Sequence, residues 1–463
     1  MKLIVRTLRF YQNNKQDIGI YTLAFTVRFI LFFIIVVLIG EKGLKLGDSV
    51  QYIGLARSLL NGQGFVLDGM PFFFRTIGYP FFLAGGLIIF RGIVGFVFFQ
   101  IILSSFLPLI IKRLAKQLGM SEKIAFMSAC VVACEPHLVF YSVTVMTESI
   151  YTLILFAGCL YIFRAMENKK YVYSVYAGIL FGIGMLVKPL LQLFPPIFFI
   201  CILPWRKKIS LVGALKHVAI ILGICFVVSF SWMYRNYSIF HSFALSNQGS
   251  GALLGYLGTS IVSVRDKITY QDAEKKVLAE FTDRNGAYIS EANRGRLYNT
   301  QAFEYIKMYP NIFGTLLIIN TITFWTSSNY NSFLNYYHLV PAIDHSVLPP
   351  THYLAQGRMR EFFFSFWKIF SQPFYFIGVI GRIIWTTVLF LFLFGVLKAY
   401  ASYPTNRYPL IFLMSLCVYL TMMVWVDGLG IEARLRYPLI PIEILYAVYG
   451  YTILQKKYGH EPT

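Results

Sequence analysis

An all-α polytopic membrane protein is the fold class this sequence predicts, on three observations. The 463 residues are 57% hydrophobic, 18% aromatic and only 13% charged, against about 25% charged in soluble domains. Apolar runs near the ~20 residues that span a bilayer recur along the chain. Basic clusters close alternate turns, as the positive-inside rule requires of loops left in the cytoplasm. The net charge of +20 follows from those turns and from attraction to anionic lipid. The basic residues punctuate apolar runs and form no stripe, so no nucleic-acid partner is expected.

Taken in order, residues 1–18 are polar and basic, hence cytoplasmic. They lead into a first span at about Ile20 to Gly40, too long for a cleaved signal peptide. An outer loop at 41–93 contains the segment Gly47-Asp48-Ser49-Val50-Gln51-Tyr52-Ile53. There Val50, Ile53, Ala56, Leu59 and Leu60 share or flank one helical face, and Asn61-Gly62 marks the stop. The run Tyr79 to Phe90, interrupted by Pro80 and two glycines, reads as an interfacial or half-inserted helix. Spans two to seven are expected at about Ile93–Ile111, Ile124–Tyr141, Thr147–Arg164, Val172–Val187, Leu190–Trp205 and Val218–Met233. Residues 237–372 form the largest non-spanning part, with one or two amphipathic helices in Asp266–Tyr309 and a surface or re-entrant helix at Ile312–Trp325. Three further spans, about Phe376–Leu397, Leu410–Val426 and Leu439–Leu454, bring the number to about ten. Both termini then lie in the cytoplasm. The organisation expected is an N-terminal transmembrane module 1–236, an extracytoplasmic or interfacial segment 237–372, and C-terminal transmembrane helices 373–463.

Cys130, Cys134, Cys159, Cys201, Cys225 and Cys417 all fall in apolar runs, with no metal or disulfide spacing, and read as packing residues. Neither a nucleotide phosphate loop nor an internal repeat is found, which argues against ATP-driven transport and against a repeat-built transporter.

The chemistry-bearing charges collect on the outer side, at or near span ends: Asp48, Arg75, Glu135, Glu148, Lys188, Arg235, Asp427, Glu432, Arg434 and Arg436. Ionisable groups at membrane depth are functional hypotheses by default. Arginine forks and a lysine point charge at headgroup depth suit a lipid phosphate. Each residue also has a structural alternative. Asp48 is placed to cap a helix, and Glu148 to complement a helix dipole. Lys188 and Arg235 have stems long enough to snorkel. Arg434 and Arg436 have Glu432 and Asp427 close by as ion partners. His137 reads as a packed histidine, and His338, His345 and His352 have weak metal spacing.

The ordered set of motifs resembles the polytopic C-type (GT-C) glycosyltransferases. Gly47-Asp48-Ser49-Val50-Gln51-Tyr52, Ala56-Arg57-Ser58-Leu59 and Gly62-Gln63-Gly64-Phe65 are similar to their first outer loop. Arg75-Thr76-Ile77-Gly78-Tyr79-Pro80 fits the element that follows. Glu135-Pro136, Thr147-Glu148, Gly182 to Pro189, Arg235-Asn236-Tyr237 and Arg434-Leu435-Arg436-Tyr437-Pro438 continue the pattern. The likeness is greatest to the aminoarabinose-transferase-like and protein-mannosyltransferase-like (glycosyltransferase family 39-like) branch. It implies a GT-C-like fold and sugar transfer from a polyprenyl-phosphate carrier to a lipid, glycan or protein acceptor. The transfer would be inverting, on the extracytoplasmic face of a plasma (inner) membrane. The resemblance makes Asp48 the catalytic base and Glu148 a second acid that orients the acceptor. Arg75, Tyr79, Lys188, Arg235, Arg434 and Arg436 become substrate and phosphate contacts. It requires no cofactor, and a divalent metal ion is the one it leaves open. Protein mannosyltransferases carry two adjacent acids where this chain has Asp48-Ser49, a departure that leans away from protein O-mannosylation. A flippase and a polymerase or ligase of lipid-linked glycans are the competing readings.

Overall fold

The structure, a computed structural model, describes residues 2–194, 209–286, 289, 291–328, 330–337, 350–370, 375–402, 407–430 and 433–458. The described residues are all-α apart from one two-stranded hairpin. Six of the described helices are long and apolar enough to cross a membrane: Asn14–Leu38, Ile93–Gln117, Glu148–Asn168, Leu211–Phe240, Phe376–Ser402 and Arg407–Leu429. The pair Glu122–Cys134 and Pro136–Val143, bent by 55°, makes a seventh if it is counted as one broken span. The bend falls at Glu135-Pro136, where proline removes an amide donor and pushes its predecessor into extended backbone; Glu135 sits at φ −62°, ψ 125°.

Of the ten expected spans, the sixth and its basic turn at 206–208 lie mostly outside the described residues, as do Cys201, Glu432, His338 and His345. The fifth, Tyr171–Val187, is a 17-residue apolar helix, shorter than a full crossing. The tenth is the helix Ile440–Tyr458, which carries Glu443 and Lys456 and is absent from those six. The seventh does not stop at Met233 but runs 30 residues to Phe240, so Arg235 is helical. At 1.5 Å per residue that helix is ~45 Å long and overshoots a ~30 Å hydrocarbon core.

Small residues set the closest helix contacts, as expected where lipid removes the hydrophobic drive between spans. A Cβ on Gly178 or Gly182, four residues apart, would meet Ile224 or Val228 of the long helix at 2.7 and 2.8 Å. A Cβ on Gly395 would lie 1.9 Å from the Tyr446 carbonyl oxygen, so the helices Tyr375–Ser402 and Ile440–Tyr458 touch backbone to backbone there.

The spans are not free of charge at their centres. Arg28, 1% exposed, donates from Nη1 to the carbonyls of Ala24 and Ala133, both at 2.9 Å. It ties the first span to the end of Glu122–Cys134.

In the largest non-spanning part the two expected amphipathic helices are Tyr270–Asn285 and Glu291–Met308. Thr269 caps the first through the amide of Asp272 at 3.2 Å. They share an apolar cluster with a π-helical turn at Leu253–Gly258 and the helix Thr259–Asp266, centred on Leu257, Ile261, Val277, Phe281 and Tyr305. The expected helix near Ile312–Trp325 is Pro310–Thr326.

Candidate active site

The segment around Asp48 forms the helix Ser49–Leu60 and stops at Asn61 with Gly62 at φ +72°, as the Asn-Gly pair indicates. The buried face differs from the expected one. Ser49, Tyr52, Ile53 and Ala56 turn inward, while Val50 and Leu60 are exposed. The reason lies at Ser49. Its hydroxyl accepts from the Leu46 amide and donates to the Val145 carbonyl, both at 2.8 Å. One turn earlier the Val145 amide donates to the Leu44 carbonyl at 2.8 Å. These bonds clamp residues 44–49 onto the strand of backbone that enters the Glu148 helix. Two acids a hundred residues apart in sequence are thereby brought to one place.

Asp48 does not cap its helix. No amide is bonded to its side chain; its carboxylate instead faces two guanidinium groups. Oδ1 is 2.8 Å from Arg75 Nη2 and Oδ2 is 3.1 Å from Arg434 Nη1. Arg75 is fixed in turn: Nε donates to Gln51 Oε1 at 2.8 Å, and its guanidinium packs over Tyr52 and Phe74 at 5.2 and 5.0 Å. Burial pushes the Tyr52 phenol up to about 12, so it supplies a neutral aromatic face.

Glu148, 1% exposed, begins the helix Glu148–Asn168. Its Oε1 lies 3.1 Å from Lys188 Nζ and 3.6 Å from Arg434 Nε. Thr147 Oγ1 donates to its Oε2 at 3.2 Å. Lys188 is delivered by a helix that must end before Pro189. Gly78 lets that helix end approach, since a Cβ there would sit 2.5 Å from the Leu186 carbonyl carbon. Asp48, Arg75, Glu148, Lys188 and Arg434 therefore form one chain of ion pairs, three cations against two carboxylates, with net positive charge.

Three expected contacts fall elsewhere. Tyr79 is fully buried; it lies edge-on to Tyr52 at 5.1 Å and donates to Gln100 Oε1 at 2.9 Å. Arg235 is enclosed by Phe65, Trp232 and Phe240 and donates to the Phe72 and Phe65 carbonyls at 3.0 and 3.1 Å. It pins the hairpin Val66–Leu67/Met70–Pro71 rather than joining the cluster. Arg436 has no exposure. It stacks at 3.9 Å on Trp385, donates to the Phe324 and Ser327 carbonyls at 2.9 and 2.8 Å, and reaches Glu443 at 3.4 Å. Arg436→Gln is therefore expected to lower the melting temperature in detergent, by roughly 3–5 kcal/mol of stability. Donor KM in the surviving folded protein should stay at the wild-type value; a raised KM with unchanged melting would contradict this placement.

Gln51, Tyr52 and Thr147 were missed as supporting residues. Gln51 carried a signal, being three residues from Asp48 on one helical face. So did the hairpin, whose Asp68-Gly69 turn has both residues at positive φ (53° and 78°), the favoured two-residue turn. His137 is held by Glu135 Oε1 at 2.8 Å and by the Ser328 carbonyl; burial pushes His352 down to about 4. No three His, Cys, Asp or Glu side chains converge among the described residues. The two cluster carboxylates face arginine and lysine, a donor set that does not fit a divalent cation.

The fold and the cluster define a polytopic all-α membrane protein with a charged site near one end of its bundle. The family model described as dolichyl-phosphate-mannose-protein mannosyltransferase matches residues 75–232. That stretch opens on Arg75 and contains Tyr79, Glu148 and Lys188, while Asp48, Arg235, Arg434 and Arg436 lie outside it. The match supports the GT-C, protein-mannosyltransferase-like resemblance and indicates a multi-pass membrane glycosyltransferase of the GT-C type. No curated protein matches the chain.

Proposed function

We propose that this protein moves a sugar from a polyprenyl-phosphate carrier to an acceptor hydroxyl, with inversion, on the membrane face away from the cytoplasm. The observation that carries the reading is the carboxylate of Asp48 held between Arg75 and Arg434, with Arg434 shared by buried Glu148. Each Asp48 oxygen has one guanidinium partner, which leaves each a further lone pair for an acceptor O–H. In the reaction Asp48 takes the acceptor proton, the acceptor oxygen bonds to the anomeric carbon, and the bond from that carbon to the phosphate oxygen breaks. The electron pair passes to the phosphate, whose growing charge is met by Arg434 and Lys188. A lipid phosphate is already a good leaving group, so the cluster needs no strong general acid.

In this reading Glu148 holds Lys188 and Arg434 in place and does not itself touch the acceptor. Arg75 orients the base, with Gln51 and Tyr52 behind it. An apolar cavity of about 270 Å³ lies between the helices Tyr171–Val187 and Leu211–Phe240, lined by Met185, Leu191, Phe194, Leu222 and Phe226 among others. It accommodates part of an isoprenoid tail, as does the short helix Gly78–Ile89. In this reading the described part of segment 237–372 caps the site; the Asn247 amide donates to the Phe73 carbonyl at 3.3 Å, two residues from Arg75.

Ser49 supports a single-acid site. It is fully buried and its hydroxyl faces the Val145 carbonyl, so a second carboxylate there would be desolvated against an acceptor. Ser49→Asp is expected to cost ~3 kcal/mol or more and to lower the melting temperature measurably; wild-type melting with gained activity would remove this argument. The proposed reaction is tested with purified protein and radiolabelled polyprenyl-phosphate mannose, the donor the family description suggests first, then other lipid-linked sugars. Sugar transferred with release of polyprenyl phosphate is expected. A protein that moves the intact donor between leaflets and leaves every glycosidic bond whole would be a flippase.

A further inference from the structure

At the other end of the bundle from the ion-pair cluster lies a charged cavity of about 500 Å³. The helix Glu148–Asn168 joins the two, with Glu148 in its first turn and Arg164 near its last. Twenty-one residues rise ~30 Å, the thickness of a hydrocarbon core. The cavity is walled by Asp17, Lys112, Arg113, Lys116, Glu122 and Arg164, with Gln117 and Glu167 beside them.

Its acids already have partners. Asp17 pairs with Lys112 at 2.8 Å, and Glu122 with Lys112 and Lys116 at 2.9 and 2.7 Å. Gln117 Nε2 donates to Glu167 at 3.0 Å. These bonds tie the first span to the helix ends at 117 and 122 and fix the wall. The two arginines stand apart from this network. Arg164 stacks on Tyr161 at 5.6 Å, and neither Arg164 nor Arg113 has a carboxylate in ion-pair range among the described residues. Lys123, Lys169 and Lys170 add exposed positive charge around the rim.

We propose that this cavity binds the phosphate group of an anionic lipid headgroup, held by the guanidinium forks of Arg113 and Arg164. Guanidinium matches phosphate oxygens in bidentate geometry. Basic pockets between helix ends on the inner side of a membrane are placed for such headgroups. The volume falls in the range of small-ligand sites. The cavity is separate from the proposed sugar-transfer site and stands whether or not that reading does.

The test is native mass spectrometry of the full-length protein released from mixed phosphatidylglycerol and phosphatidylcholine micelles. One retained phosphatidylglycerol is expected, with phosphatidylcholine lost. Arg113→Gln with Arg164→Gln should weaken retention roughly ten- to thirty-fold, from ~1 kcal/mol per basic residue near the surface. Lys398→Gln with Arg407→Gln removes the same charge away from the cavity and should leave retention unchanged. Equal loss in both variants, or no loss in the first, overturns the proposal. A parallel arm titrates inorganic phosphate. Displacement of phosphatidylglycerol only at high millimolar phosphate supports the lipid source; tight binding of inorganic phosphate with no lipid retained overturns it.

Discussion

Asp48→Asn brings sugar transfer down by ~10²–10⁴-fold, the range for loss of a general base, while the protein stays folded and keeps its donor. Asparagine can still accept from Arg75 Nη2, which now stands 2.8 Å from Asp48 Oδ1, so the local packing survives. What it loses is the ability to take a proton and one negative charge in a cluster of three cations and two acids. Donor phosphate then meets a more positive site, so donor affinity should hold or tighten as turnover collapses. That split separates a base from a structural residue. If Asp48 served only to hold Arg75 and Arg434, donor binding and melting temperature would fall together with rate. Asp48→Glu keeps the chemistry and misplaces it, and should recover a small part of the rate.

Glu148→Gln is the second large effect. The carboxylate is 2% exposed and its Oε1 serves Lys188 and Arg434 together. Removing its charge leaves Lys188 partly desolvated without its counter-ion and Arg434 with Asp48 in its place, a loss of ~3–5 kcal/mol for a broken buried pair. Melting temperature should fall by several degrees, and the protein that remains folded should show donor KM raised about tenfold or more, because Lys188 and Arg434 no longer share a fixed position. Pairing the change with Lys188→Met removes the orphaned charge. The double variant is expected to regain stability but not donor affinity, since an apolar replacement of a buried ion pair is often tolerated energetically. Recovery of both would assign Glu148 and Lys188 a purely structural role.

The sequence showed the spans well where apolar runs are long and end at basic turns, as at Asn14–Leu38, Ile93–Gln117 and Phe376–Ser402. It showed the Asp48 helix through its stop at Asn61-Gly62. It was less informative where a helix outlasts its apolar run. Leu211–Phe240 runs past Met233, where the expected seventh span ends, and carries Arg235 in its last two turns because cation–π packing and backbone carbonyls receive the guanidinium. Charge alone also could not sort Arg434 from Arg436. The two stand in one 3-10 turn, Ala433–Arg436, yet one reaches Asp48 and the other is sealed against Trp385 and the carbonyls ending Pro310–Thr326. Which side of a short turn faces the site depends on Phe324, Ser327 and Trp385, residues far away in sequence. The meeting of Asp48 with Glu148 was likewise invisible, because it depends on Ser49 and Leu44 bonding to Val145. A motif set lists the cations; only the packed backbone says which of them share a carboxylate.

The most direct test of Asp48 as the base of a lipid-linked sugar transfer is a single-turnover experiment with donor pre-bound, quenched and resolved by mass spectrometry and NMR. The wild-type protein should yield polyprenyl phosphate and a glycosylated acceptor of inverted anomeric configuration, and Asp48→Asn should hold its donor intact over the same interval. Wild-type product formation by Asp48→Asn, or retention of configuration, would contradict the account.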